Sequence, residues 1–194
     1  MNYAWQPQNV FGYGSLARLA STGLSRAVSS QGVVTDLMGF ARTWTTAMDN
    51  SENIPGYKFY VSASDPGDRP EVAVTFLDIT PKQGSSVNGV CLPFTAGQLT
   101  VLDARERNYV RADVTQMLSV KPPGTVWAYV GSGEGRGRAS SARRRGTAVI
   151  HAEYLQRVRQ CFAAMGANEL RIFDETTQRP DIPLLSLERI DIAG

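Results

Sequence analysis

The sequence predicts an α+β fold made mainly of strands, and three observations lead there. Short apolar runs separated by turn residues fill the first two thirds of the chain. One of them, Glu71-Val72-Ala73-Val74-Thr75-Phe76-Leu77, has the alternation of a half-buried strand. Only two segments keep helical spacing, so helices decorate a β framework rather than alternate with its strands.

Taken in order, strands are expected near 8–13, 33–47, 57–64, 71–79, 87–94, 109–118 and 125–131, with Asp65-Pro66-Gly67-Asp68 and Pro122-Pro123-Gly124 as turns between them. A first helix is expected over 96–106. Thr95 caps it and Gln98, three residues on, completes a capping box ahead of Leu99, Val101 and Leu102. A second is expected over 150–165, where Ile150, Tyr154, Val158, Phe162 and Met165 recur on one face and Gly166 supplies a left-handed stop. Residues 131–146, rich in Gly, Arg and Ser, offer almost no apolar side chain and read as an exposed, flexible loop. The tail from 167, with Pro180 and Pro183, reads as an extended segment lying on the body.

A chain of 194 residues fits a single domain spanning 1–194, and 42% hydrophobic with 20% charged residues is the balance of a folded globular protein. The net charge of +2 is too small to require a polyanionic partner for the whole chain. Arg136, Arg138, Arg143, Arg144 and Arg145 are locally basic, but no aromatic residue lies among them to stack on bases, so a nucleic-acid partner is not expected. Cys91 and Cys161 have no CxxC spacing and read as small apolar fillers in a reducing, cytoplasmic setting. The start of the chain lacks the basic and apolar regions of a signal peptide, and no 18-residue apolar run predicts a membrane span. With His151 as the sole histidine, a multi-histidine metal site is excluded, and His151 itself reads as a surface or cap-region residue. No metal or cofactor is expected.

Two motifs carry chemistry. Val10-Phe11-Gly12-Tyr13-Gly14-Ser15-Leu16 is an apolar strand that ends in a glycine turn, where the backbone can bend and present N–H groups to a carboxylate. Gly12, Gly14 and Ala17 also satisfy a relaxed dinucleotide fingerprint. That reading is disfavoured: Pro7 leaves only a short first strand, further strands follow instead of alternating strands and helices, and Asp36 lies inside a strand rather than at its end. The second motif is Leu102-Asp103-Ala104-Arg105-Glu106-Arg107-Asn108-Tyr109-Val110-Arg111. On a helix Leu99, Leu102 and Glu106 share one face, so a carboxylate terminates an apolar stripe. A surface glutamate paired with Arg105, Arg107 or Arg111 is the alternative.

In this order and on a β-rich chain, Phe-Gly-Tyr-Gly-Ser-Leu followed by Leu-Asp-x-x-Glu and Tyr-x-Arg resembles the gamma-glutamylcyclotransferase-like superfamily. Gly39-Phe40-Ala41-Arg42 is similar to the family's Gly-aromatic-x-Arg segment, and residues 152–158 echo its longer bacterial members. The family glycine after the glutamate is Arg107 here, and residues 131–146 have no counterpart in the pattern. The resemblance implies a small antiparallel or mixed β-barrel of about six to seven strands with two packed helices. It implies a substrate-binding loop of Tyr13, Gly14, Ser15 and Leu16, a catalytic Glu106, and a pocket to which Arg42, Tyr109, Tyr129 and Arg111 contribute; for Tyr129 a packing role is equally open. The implied reaction is attack of the substrate's alpha-amino group on its own gamma-glutamyl amide, giving 5-oxoproline and an amine or amino acid, in a monomer or weak homodimer. A cyclotransferase-like binding protein without turnover is the alternative.

Overall fold

The computed structural model describes residues 7–17 and 32–193; residues 1–6, on which the signal-peptide expectation rests, lie outside them. Its strands are β1 (Gln8–Gly12), β2 (Val33–Asp49), β3 (Lys58–Ser62), β4 (Ala73–Phe94), β5 (Tyr109–Asp113), β6 (Thr125–Gly131), β7 (Ala148–His151), β8 (Leu184–Leu185) and β9 (Leu187–Asp191). Its helices are α1 (Ala96–Arg105), α2 (Gly133–Arg145), α3 (Ala152–Met165) and α4 (Ala167–Thr176). Seven strands form one mixed sheet in the order β5-β6-β1-β4-β7-β8, with β2 also paired to β4, while β3 and β9 form a separate antiparallel pair. The expected barrel does not close: the path runs from β5 to the two-residue β8, and no pairing joins these ends among the described residues.

The expected strands 71–79 and 87–94 are the two halves of β4. Against β2 its register jumps between Pro81, opposite Phe40, and Ser86, opposite Met38, with Gly39 at φ 80°. Bulges of this kind bend a strand and let each half meet different neighbours. The first half of β4 pairs in parallel with β7, and the last five residues pair antiparallel with β1. That bend sets the end of β1 beside the middle of β4, where the candidate site lies.

Two expectations about helices are corrected. Residues 131–146 are not a loop: Ser132 accepts a hydrogen bond from Gly135 N–H at 3.0 Å as N-cap, and Gly146 ends α2 at φ 71°. Its buried residues are Gly135, Ala139 and Ala142, which recur on one helical face but are too small to register as an apolar stripe. Small residues let the helix approach closely. A Cβ on Gly135 would lie 2.4 Å from Thr46 Oγ1 and 2.7 Å from the Asn108 carbonyl. The arginines then bind the helix down: Arg138 donates to the Ala47 carbonyl and Asn108 Oδ1, and Arg143 to the Trp44 carbonyl and Asp181.

The tail from 167 is extended only in its last part, because Ala167–Thr176 is helical. Phe173 packs on Phe162 of α3 with ring centroids 4.6 Å apart, and burying an aromatic ring of this size outweighs the distant prolines. The stop between α3 and α4 is Gly166, at φ 142° and ψ 155°, a glycine region other than the expected left-handed helical one. Ile150 belongs to β7, not to the second helix, and His151 is buried at that helix's N-cap rather than on the surface. Cys91 is buried, as expected of a filler.

The main core gathers Phe11, Leu37, Trp44, Leu77, Ile79, Val126 and Ile150 from the sheet with Val158, Phe162 and Phe173 from α3 and α4. A second cluster seats Leu99 and Leu102 of α1 on Val10, Leu92 and Tyr129. Thr95 and Gln98 form the expected capping box, which fixes where α1 starts and hence where its last carboxylate falls.

Candidate functional site

The turn after β1 is shaped by contact rather than by unusual dihedrals. A Cβ on Gly12 would stand 2.6 Å from Ala17 N and 2.8 Å from Leu16 C, so glycine is required for the chain to fold back on itself. Ala17 N–H donates to the Gly14 carbonyl at 3.0 Å and closes the turn. Gly14 in turn lies against the Tyr154 hydroxyl and Leu77.

Glu106 is the C-cap residue of α1, its N–H donating to the Leu102 carbonyl at 2.9 Å. Buried Leu99 and Leu102 hold the helix face, so the glutamate emerges at the inner end of that stripe with 15% of its side chain exposed. Arg105 Nε lies 3.2 Å from Oε1. Burial pushes the carboxyl up from its usual range, and the positive charges of Arg105 and Lys58 draw it part of the way back.

Tyr13, Gly14, Ser15, Leu16, Glu106, Tyr109 and Tyr129, all named from the sequence, line one niche of about 20 Å³ together with Leu77 and Tyr154. That volume admits roughly one water-sized group. The niche is the floor of a cleft of about 550 Å³ that shares Ser15, Glu106, Tyr109 and Tyr154 and extends past Tyr57, Lys58, Phe76 and Arg157; clefts of about 300–1,000 Å³ are the usual size for small-molecule sites.

The tyrosine hydroxyls are committed as donors. Tyr13 donates to the Tyr129 carbonyl at 2.5 Å, Tyr109 to the Leu77 carbonyl at 2.7 Å, and Tyr129 to Asp103 Oδ1 at 2.6 Å. Each oxygen retains acceptor capacity, so the niche offers acceptors and a carboxylate. Such a lining suits a small cationic group. Burial raises the Tyr13 and Tyr109 hydroxyls well above the ordinary phenol range, and Asp78 adds to both shifts, so they stay protonated near neutrality.

Arg42 is not among the cavity-lining residues. Fully buried, it is bracketed by the Phe162 and Phe173 rings at 5.0 and 4.5 Å and donates to Asn88 and Thr177. Arg111 likewise lies outside, paired with Asp103 at 3.3 Å and stacked on Trp127. Both support walls rather than face the cavity.

The sequence reading missed Tyr154, Lys58, Arg157, Arg189 and Asp78. Tyr154 was legible in part, since it is the one member of the α3 stripe with a polar tip; that hydroxyl is hydrogen-bonded by the Leu77 backbone and Ser15. Lys58 and Arg189 reach the cleft through the β3–β9 pair, which joins residues more than 120 positions apart. Asp78 is buried beneath the site and bound by Arg136 at 2.8 Å, Thr45, and the Ile79 and Gly131 N–H groups. Among the described residues no cluster of three His, Cys, Asp or Glu side chains could hold a metal, and no helix is long and apolar enough to cross a membrane.

The fold that carries this cavity is similar to that of several solved structures. A structure described as a gamma-glutamyl cyclotransferase superposes with a TM-score of 0.52 at 13% identity, over 91% of this chain and 90% of that one. A yeast gamma-glutamyl cyclotransferase specific to glutathione gives 0.52 at 16% identity, over 91% and 100%. An uncharacterized protein from Homo sapiens gives 0.52 at 13% identity, over 91% of each chain. Neither a protein-family model nor a curated protein matches the sequence. The chain shares the fold of these solved structures.

Proposed function

We propose that this protein is a gamma-glutamylcyclotransferase-like enzyme that cleaves a gamma-glutamyl amide by intramolecular cyclisation. The observation that carries the reading is the shared cavity of Glu106 and residues 13–16, with the carboxyl shifted upward by burial. The substrate's alpha-ammonium enters the acceptor-lined niche, and Glu106 takes one of its protons. The freed amine attacks the gamma-carbonyl carbon, forming the ring C–N bond. As the tetrahedral intermediate collapses, the original amide C–N bond breaks and Glu106 returns the proton to the departing nitrogen; the surplus proton on the ring nitrogen then passes through the same carboxylate to the released amine, which leaves as an ammonium. No water is consumed, and the products are 5-oxoproline and an amine.

A carboxyl that must both accept and return a proton works best with a pKa nearer the working pH than an exposed glutamate has, which is the direction of its shift here. The fold's other task is orientation, since nucleophile and electrophile are on one molecule and holding them in an attacking geometry can supply several kcal/mol. The niche is too small for a whole glutamyl group, so its carboxylate and methylenes lie in the cleft, beside Ser15, the residue of the 13–16 turn that lines both spaces. Leu77 and the rings of Tyr109 and Tyr154 form the apolar floor.

The test is release of 5-oxoproline from a panel of gamma-glutamyl compounds. Glu106→Gln, with its fold checked by circular dichroism, is expected to lose about 10²–10⁴ in rate. Comparable turnover by the variant would remove Glu106 from the mechanism. Binding of the panel without any 5-oxoproline would make the protein a silent relative.

A further inference from the structure

The charges of the cleft are strongly unequal. Lys58, Arg105, Arg107, Arg157 and Arg189 line it, against the single carboxylate of Glu106. Arg105 pairs with Glu106 and Arg189 with Asp191. The other three have no carboxylate partner among the described residues. Arg157 lies 3.1 Å from His151 Nε2, and Arg107 lies over the Tyr57 ring at 5.4 Å and makes long hydrogen bonds, at 3.4 Å, to the Ala104 and Pro55 carbonyls.

Lys58 is the most telling of them. Its ammonium lies against the rings of Phe76, Tyr57 and Tyr60 at 4.9, 5.4 and 5.9 Å, and no oxygen of the described residues accepts from it. A half-buried ammonium without an anionic partner is costly, and aromatic faces return only part of what water gave it. Strand pairing fixes its position. Lys58 and Tyr60 share a face of β3, Arg189 of β9 stands opposite Tyr60, and the charge of Lys58 is felt by Glu106. A cation held beside the proton-transfer residue, on the cleft side, lies where the departing half of the substrate must sit.

We infer that Lys58, supported by Arg107 and Arg157, is a specificity-determining residue that binds a carboxylate on the leaving group. Its role in this chain is to favour a leaving half that carries a free carboxylate over one that is uncharged. The inference rests on the cyclotransferase reading for the reaction, but its binding step can be tested apart from turnover.

The probes are gamma-glutamylglycine and gamma-glutamylmethylamide, which differ by one carboxylate. Titrated calorimetrically into Glu106→Gln, the glycine compound should bind about 10–100-fold more tightly, as one charge-assisted contact gives. Lys58→Met in that background should reduce the advantage to about threefold or less. With the wild-type protein, which needs no variant to fold, the kcat/KM advantage of the glycine compound should shrink as salt rises from about 50 to about 500 mM. Equal affinities, binding of neither compound, or a preference that survives Lys58→Met would each overturn the assignment. Selective binding without 5-oxoproline would keep the anion site and remove the reaction; 5-oxoproline from both compounds at equal kcat/KM would do the reverse.

Discussion

Replacing Arg136 by methionine tests whether the segment over 131–146 is part of the structural frame. Asp78 is fully buried, and Arg136 is its only cationic partner among the described residues, at 2.8 Å from Nε. Removing one member of a buried pair commonly costs about 3–5 kcal/mol, because a charge is left without compensation. Two features place this case at the low end: Arg136 is 39% exposed, so water can enter the gap, and Thr45 and the Ile79 and Gly131 N–H groups continue to donate to the carboxylate. A loss of about 3 kcal/mol remains. For a chain of this size each kcal/mol moves the midpoint by about 2–4 °C, so thermal unfolding followed by circular dichroism should show a drop of about 6–12 °C. The double variant with Asp78→Asn should lose less than the sum of the two single changes, since the pair acts as a unit. A midpoint within about 2 °C of wild type would refute the reasoning. The result also bears on the site, for Asp78 follows Leu77, whose carbonyl anchors Tyr109.

Glu106→Gln has a stability signature as well. The folded-state pKa of Glu106 is raised, so between the ordinary glutamate value and the raised one the native state holds a proton that the unfolded state has lost, and wild-type stability falls as pH rises through that window. The variant should therefore unfold at a higher temperature than wild type at about pH 8, with the gap closing towards about pH 4; a pH-independent difference in thermal scans would contradict the burial argument. Gly12→Ala drives a Cβ into the backbone of Leu16 and Ala17. Overpacking of this kind costs about 1–3 kcal/mol, and 5-oxoproline assays should show kcat/KM falling with it because the turn lines the niche; a variant of wild-type stability and activity would show that the turn can yield.

Much of the frame was legible because it is written in local terms. Thr95 and Gln98 announce the start of α1, the apolar run at 125–131 coincides with β6, and the glycine turn after β1 is visible in Gly12 and Gly14. Helix α2 escaped because sequence reading seeks large apolar side chains, whereas its buried face is Gly135, Ala139 and Ala142 and much of its anchorage is arginine donating to distant carbonyls. Helix α4 escaped because Pro180 and Pro183 coloured a stretch they do not reach. Arg42 shows the opposite limit: a motif can place a residue on the correct strand without saying which way its side chain faces, and here it faces Phe162 and Phe173.

What the sequence determined by itself was the kind of backbone wherever caps, turns and strand alternation mark it, together with the two segments that carry the chemistry, since those signals depend on neighbours a few residues apart. What only the tertiary structure decided was the company those segments keep. The sheet stays open, Glu106 shares a cavity with residues 13–16, and a strand pair brings Lys58 and Arg189 to one cleft. Pairing and burial over such separations follow from how the whole chain excludes water, and no short stretch of residues encodes that.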